Sequence, residues 1–129
     1  MEKYELGLHK KSFSLFYKGG EIWCEHLDSL YNEKELLKNK FNQDLLQIGR
    51  PSISSFLVIN LDETVIDEEI MEFIINNLVM LKKSLCKVVF VGLNSKMKNF
   101  VKKRNINTSF VMTCIDDYEK AKEWLVAAQ

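Results

Sequence analysis

Residues 56–74 read "FLVINLDETVIDEEIMEFI", and how they fold settles the class of the whole chain. Phe56 to Leu61 is an apolar run of strand length without alternation, the pattern of a strand covered on both faces. Asp62, Glu63 and Thr64 follow as a polar turn, and Asp67 is a good N-cap for a helix beginning behind it. Ile66 and Met71 can close a hydrophobic staple over that cap. Ile70, Ile74, Leu78, Leu81 and Leu85 then recur at helical spacing and predict one inward stripe.

The flanking segments extend this pattern. Upstream, "SFSLFYKGGEIWCEHL" alternates around Gly19-Gly20 and predicts a β-hairpin with a tight turn. "DSLYNEKELLKNKFNQDLLQIG" predicts a helix with Leu30, Leu37, Phe41, Leu45 and Ile48 on one stripe. Gly49 should close it in the left-handed conformation, and Pro51 keeps the chain from continuing. Downstream, "KVVFVGL" is a second buried strand. Asn94 can cap a helix through Arg104, with Met97, Phe100 and Val101 facing inward. "SFVMTC" is a last strand, and Asp116 or Asp117 can cap a final helix. The order β-β-α-β-α-β-α-β-α predicts an α/β fold. Its single, mostly parallel (mixed) sheet carries an N-terminal hairpin and about four helices, because parallel neighbours need crossover connections.

Length and composition fit one domain spanning residues 1–129, large enough for a single core. Eighteen basic residues balance 18 acidic ones, so no net field draws in nucleic acid or an anionic membrane. Cys24, Cys86 and Cys114 are an odd set with no CxxC pair, which argues against a disulfide framework or a zinc site. The N-terminal "MEKYELGLHKK" lacks the apolar region of a secretory signal, and no apolar run reaches the roughly 18 residues of a membrane span. These features predict a cytoplasmic protein that is a monomer or homodimer, with no cofactor.

The element order and three of its segments resemble the STAS family, small α/β domains that include bacterial anti-sigma-factor antagonists and the tails of sulfate transporters. The resemblance covers about Ser12 to Ala128. The family's central strand leads through a short loop to Asp-Ser-Ser-Gly at the start of a helix. "VINLDETVIDEEIMEFII" is similar, with Asp67 at the Asp and Glu68 at the phosphoacceptor serine. "VVFVGLNSKMKNFVKKRNI" and "FVMTCIDDYEKAKEWL" are similar to the later strand–helix units. The resemblance implies a non-catalytic regulatory domain that binds a protein partner, such as an anti-sigma factor or a serine-kinase-like regulator. Its partner surface would comprise Asp62, Glu63, Asp67, Glu68, Glu69, Ile70 and Met71. Glu68 has no hydroxyl, so phosphorylation cannot operate there, and its carboxylate supplies part of a phosphate's charge permanently.

The alternative is a haloacid-dehalogenase-like phosphatase or a degenerate relative. "NLDET" (Asn60, Asp62, Thr64) is similar to that family's Asp-x-Asp-x-Thr strand end, with Ser95 on phosphate and the later "IDD" on Mg²⁺. The mechanism needs a carboxylate nucleophile where Asn60 stands, and an amide cannot serve. Asp62, Glu63, Asp67, Glu68 and Glu69 as Mg²⁺ or Ca²⁺ ligands compete with a plain role in capping and solvation. The basic run Lys96, Lys98, Lys102, Lys103 and Arg104 reads as a solvated helix face, since no exposed aromatic residues interleave with it. His9 and His26 read as surface or edge residues. Trp23 either projects as a partner anchor or folds over the core, and Cys114 reads as a buried thiol.

Overall fold

A computed structural model describes residues 10–127. The strands are β1 (Phe13–Tyr17), β2 (Gly20–His26), β3 (Phe56–Asn60), β4 (Lys87–Val91) and β5 (Val111–Cys114). The helices are α1 (Lys34–Ile48), α2 (Glu68–Val79), α3 (Ser95–Arg104) and α4 (Tyr118–Val126), with a 3₁₀ turn at Asn105–Asn107. They form the predicted α/β architecture, one mixed sheet of five strands in the order β1-β2-β3-β4-β5. Only β1 and β2 are antiparallel, and the remaining pairs are parallel.

Strand order that follows chain order has a geometric consequence. Right-handed crossovers that always step in one direction put every crossover helix on the same face. Helices α1, α2 and α3 accordingly bury Leu37, Phe41, Ile70, Met71, Ile74, Met97 and Val101 against Trp23, Leu57, Ile59, Val88, Phe90 and Met112. Among the described residues the opposite face carries α4 alone, with Ala121 and Leu125 against Ile22, Cys24, Val58, Val89 and Val91. Both faces of β3 and β4 are thus covered, which is why their sequences run apolar without alternation.

Local chemistry sets most element starts. Asp67 Oδ1 accepts from Ile70 N–H at 2.9 Å, and Asn94 Oδ1 accepts from Met97 N–H at 2.9 Å. Asp117, rather than Asp116, caps α4 by accepting from the Glu119 and Lys120 amides. Ile66 packs on the core that contains Met71, consistent with the staple.

Several boundaries differ from the sequence expectation. The hairpin turn is Lys18-Gly19, both with positive φ (47° and 89°), and Gly20 already pairs with Tyr17. A two-residue turn whose central residues are both left-handed matches the strand twist, so the turn sits one residue earlier than the Gly-Gly pair suggests. Helix α1 begins at Lys34, leaving Leu30 in the preceding loop, where it is still buried. Gly49 ends α1 with φ −74° and ψ −8°, right-handed rather than left-handed. A side chain there would crowd the Leu45 carbonyl and the Leu81 methyl, so close packing rather than handedness favours glycine. Helix α2 stops at Val79, and Leu81 and Leu85 lie in the connection to β4 while still packing on the core. Apolar spacing records burial, and burial continues after the helix has ended.

His26 lies deeper than expected, 6% exposed at the end of β2, and Trp23 takes the second of its two alternatives, folded into the core at 5% exposure. Strand β2 is interior, paired with β1 on one side and β3 on the other, so neither residue stands at an edge. His9 lies outside the described residues. No described helix is long and apolar enough to cross a membrane.

Candidate functional site

The carboxyl ends of the parallel strands gather most of the chemistry-bearing residues, as expected of parallel α/β sheets. Two loops meet there. The loop after β2 (residues 27–33) and the loop after β3 (residues 61–67) are stitched by Ser29 N–H to Asp62 O (2.7 Å), Tyr31 N–H to Glu63 O (3.0 Å) and Val65 N–H to Tyr31 O (2.7 Å). The Thr64 hydroxyl donates to Leu27 O (2.7 Å) and accepts from Leu30 N–H (3.1 Å). Tyr31 and Thr64 form a parallel bridge.

This stitching holds the backbone in an unfavourable state. Ser29 (φ 59°), Tyr31 (φ 50°) and Glu63 (φ 56°) are non-glycine residues in the left-handed region. Each such residue costs on the order of 1 kcal/mol or more and persists only where its surroundings over-determine it. Gly92, at the end of β4, also has positive φ (94°), and a Cβ there would lie 2.5 Å from Asp62 Oδ1. Glycine is required both by the conformation and by the approach of Asp62.

The acidic residues singled out from sequence divide into paired and free groups. Lys34 Nζ bridges Asp67 (3.0 Å) and Glu69 (2.9 Å), and Lys38 Nζ reaches Glu69 at 3.0 Å. The Ile70 amide, then Lys34, hold the Asp67 carboxyl below its ordinary range, and Lys34 and Lys38 do the same for Glu69. Glu63 accepts from the Ser29 hydroxyl at 3.2 Å. Glu68 is exposed, and its side chain makes no hydrogen bond or ion pair among the described residues. Asp62 is raised above its ordinary range by partial burial and by the neighbouring charges of Asp28, Asp116 and Glu63.

Ile70 and Met71 do not belong to this surface. They are 1% and 0% exposed, on the core-facing side of α2. The inward stripe of this helix is wider than its four-residue repeat suggests, and position 71 lies beside 74, 75 and 78. The apolar groups that do reach solvent here are Tyr31 (59% exposed) and Val65 (63%). They sit on adjacent, hydrogen-bonded loop segments, and no periodicity in the sequence marks them.

Two residues of the phosphatase reading, Asn60 and Thr64, have structural partners. Asn60 is buried and its Oδ1 accepts from Asp62 N–H at 3.0 Å, while Thr64 is committed to the Leu27–Leu30 turn. Ser95 is the exposed first residue of α3. Among the described residues, no three His, Cys, Asp or Glu side chains are arranged to hold a metal ion. In the basic run, Lys98 pairs with Asp116 at 2.7 Å and Arg104 pairs with Glu72, whereas Lys96, Lys102 and Lys103 are exposed.

Beneath the loops, His26 Nδ1 lies 3.0 Å from Asp28 Oδ1 and its Nε2 lies 3.5 Å from the Tyr118 hydroxyl, with Phe13 stacked on the ring. Burial pushes the Cys114 thiol up to about 11, which keeps it protonated and unreactive. At the other end of the sheet an apolar cleft of about 460 Å³ is lined by Phe56, Cys86, Val111, Leu125 and Val126. The Lys87 ammonium at its margin is occupied by the Trp124 carbonyl at 3.0 Å. Comparison with family models, with curated proteins and with solved structures yields no match.

Proposed function

We propose that this domain acts without catalysis, by binding another protein through the paired loops after β2 and β3 and the start of α2. The observation that supports this reading most is the strained backbone at Ser29, Tyr31 and Glu63, locked by cross-loop hydrogen bonds. A surface held in one shape before binding loses little further entropy when a partner docks. Tyr31 and Val65 provide the apolar centre, and aromatic residues are favoured as interface anchors. Glu68 and Asp62 provide charge that steers and orients a basic partner surface. In the STAS reading that partner is an anti-sigma factor or a serine-kinase-like regulator, and Glu68 stands permanently charged at the switch position. Three unpaired cysteines suit the reducing cytoplasm that such a role implies.

The test is to recover the partner from the native cell with the wild-type domain and compare affinities of variants. Tyr31→Ala should weaken binding by about 2 kcal/mol or more if Tyr31 is an anchor. Glu68→Ser should slow association and flatten its salt dependence. Glu68→Ser should fold normally, because surface substitutions away from strained backbone stay within about 0.5 kcal/mol, and circular dichroism of Tyr31→Ala should confirm that the variant is folded before its affinity is compared. Wild-type affinity in both variants would remove the loops from the interface.

A further inference from the structure

Glu25 is a carboxyl group with no exposure, on the helix-rich face of the sheet. Its Oε1 accepts from Trp23 Nε1 at 2.8 Å. Its Oε2 is fully buried and, among the described residues, receives no hydrogen bond. The group beside it is another acceptor, the carboxylate of Asp44 on α1. Asp44 Oδ2 accepts from the Ser12 hydroxyl at 2.9 Å and from Lys40 Nζ at 3.1 Å. Lys40 also donates to Ser12 Oγ at 3.0 Å, and Ser12 Oγ accepts the His26 amide at 2.9 Å.

Two neighbouring carboxylates repel, most of all where one of them, Glu25, is fully buried, and a buried oxygen without a donor is costly. A carboxylic acid, by contrast, is itself a donor. We propose that Glu25 is protonated at neutral pH and donates to Asp44, and that this single buried proton latches the entry to β1 and the middle of α1 onto the sheet. The proton leaves Asp44 as the ionised member, free to receive Ser12 and Lys40. Ser12 in turn fixes the His26 amide beside the edge strand. The groups facing Glu25 are thus Trp23 from its own strand, Asp44 and Lys40 from α1, and Ser12 ahead of β1; β3 presents the apolar Ile59 at the paired position. Burial first, then Asp44, raises Glu25 well above the ordinary glutamate range, and Asp44 is correspondingly lowered. Loss of the proton would place a second negative charge against Asp44 and release the strand entry.

Carbon-13 NMR of glutamate-labelled protein at pH 7 reads the protonation directly. One glutamate carboxyl should show the chemical shift of the neutral acid, and Glu25→Gln should remove that signal. A spectrum in which every glutamate is ionised overturns the proposal. Amide exchange at His26 reads the latch. Asp44→Ala should speed it by about tenfold, the equivalent of one lost hydrogen bond, whereas Glu25→Gln, whose amide can still donate, should leave it within about twofold. Unchanged His26 exchange in Asp44→Ala, or equally fast exchange in both variants, overturns the latch.

Discussion

The two faces of the sheet bury different chemistry. The face under α1, α2 and α3 is a continuous apolar core, interrupted by Glu25. The face under α4 is thin and admits polar groups: His26, Asn60, Lys87 and Lys122 are each less than 9% exposed. Lys122 lies over the rings of Tyr17 (5.0 Å) and Tyr118 (4.7 Å), and Lys87 lies over Trp124 (4.8 Å). A cation can be covered there because aromatic rings and carbonyls accompany it and its head stays close to water. Most of the apolar burial thus lies on one face, while the other accommodates titratable groups.

Truncation tests that asymmetry most strongly. Phe41→Ala on the thick face should cost about 3–5 kcal/mol, because α1, α2 and β-strand side chains surround the cavity and cannot all collapse. Leu125→Ala on the thin face should cost less, about 2–3 kcal/mol, since a single helix can settle toward the sheet. Urea denaturation of both variants checks the order, and equal losses would mean that α4 is as rigidly packed as the three-helix layer.

The next effect is a slope rather than an offset. Glu25 holds its proton more tightly in the folded protein than in the unfolded chain. Its contribution is therefore complete below the ordinary glutamate range near 4.5 and is lost as pH rises through the folded value. Wild-type stability should fall relative to Glu25→Gln over that interval, as measured by denaturation at a series of pH values. A constant difference would show that Glu25 ionises as freely folded as unfolded. A smaller loss, about 1 kcal/mol, is expected for Asp67→Ala, which removes the α2 cap. Thermal unfolding checks this, and a larger loss would mean that the Lys34 pairing also carries weight.

Much of the fold was legible from sequence because it is written locally. Apolar runs marked β3 and β4, and Asp67, Asn94 and Asp117 capped their helices as short-range chemistry predicts. Mixed apolar and polar residues in "EIWCEH" give no sign that both faces of β2 are covered, so the sequence alone places His26 at the surface or an edge. The candidate surface was half legible. Its acidic residues are visible in the sequence, but Lys34 and Lys38 neutralise two of them across more than 30 positions of chain. Tyr31 and Val65 could not be found, because the left-handed turns that expose Tyr31 depend on hydrogen bonds between loops rather than on any local preference. Ile70 and Met71 were misplaced for a different reason: the acidic residues before them suggested a surface, while the core claims a wider stripe of α2 than its spacing implies.

The strand order also bears on how the chain assembles during synthesis. Each strand pairs with the one made before it, so no strand must wait for a later segment to find its neighbour. The hairpin of β1 and β2 is the most local contact, and each parallel strand adds one crossover loop of moderate length, the kind of closure that folds without long delays. Helix α4 breaks this progression, because it packs back across β2, β3 and β4. A nascent chain that has released β5 but not α4 would hold a complete five-stranded sheet with one bare face, and Val58, Val89 and Val91 would await their cover.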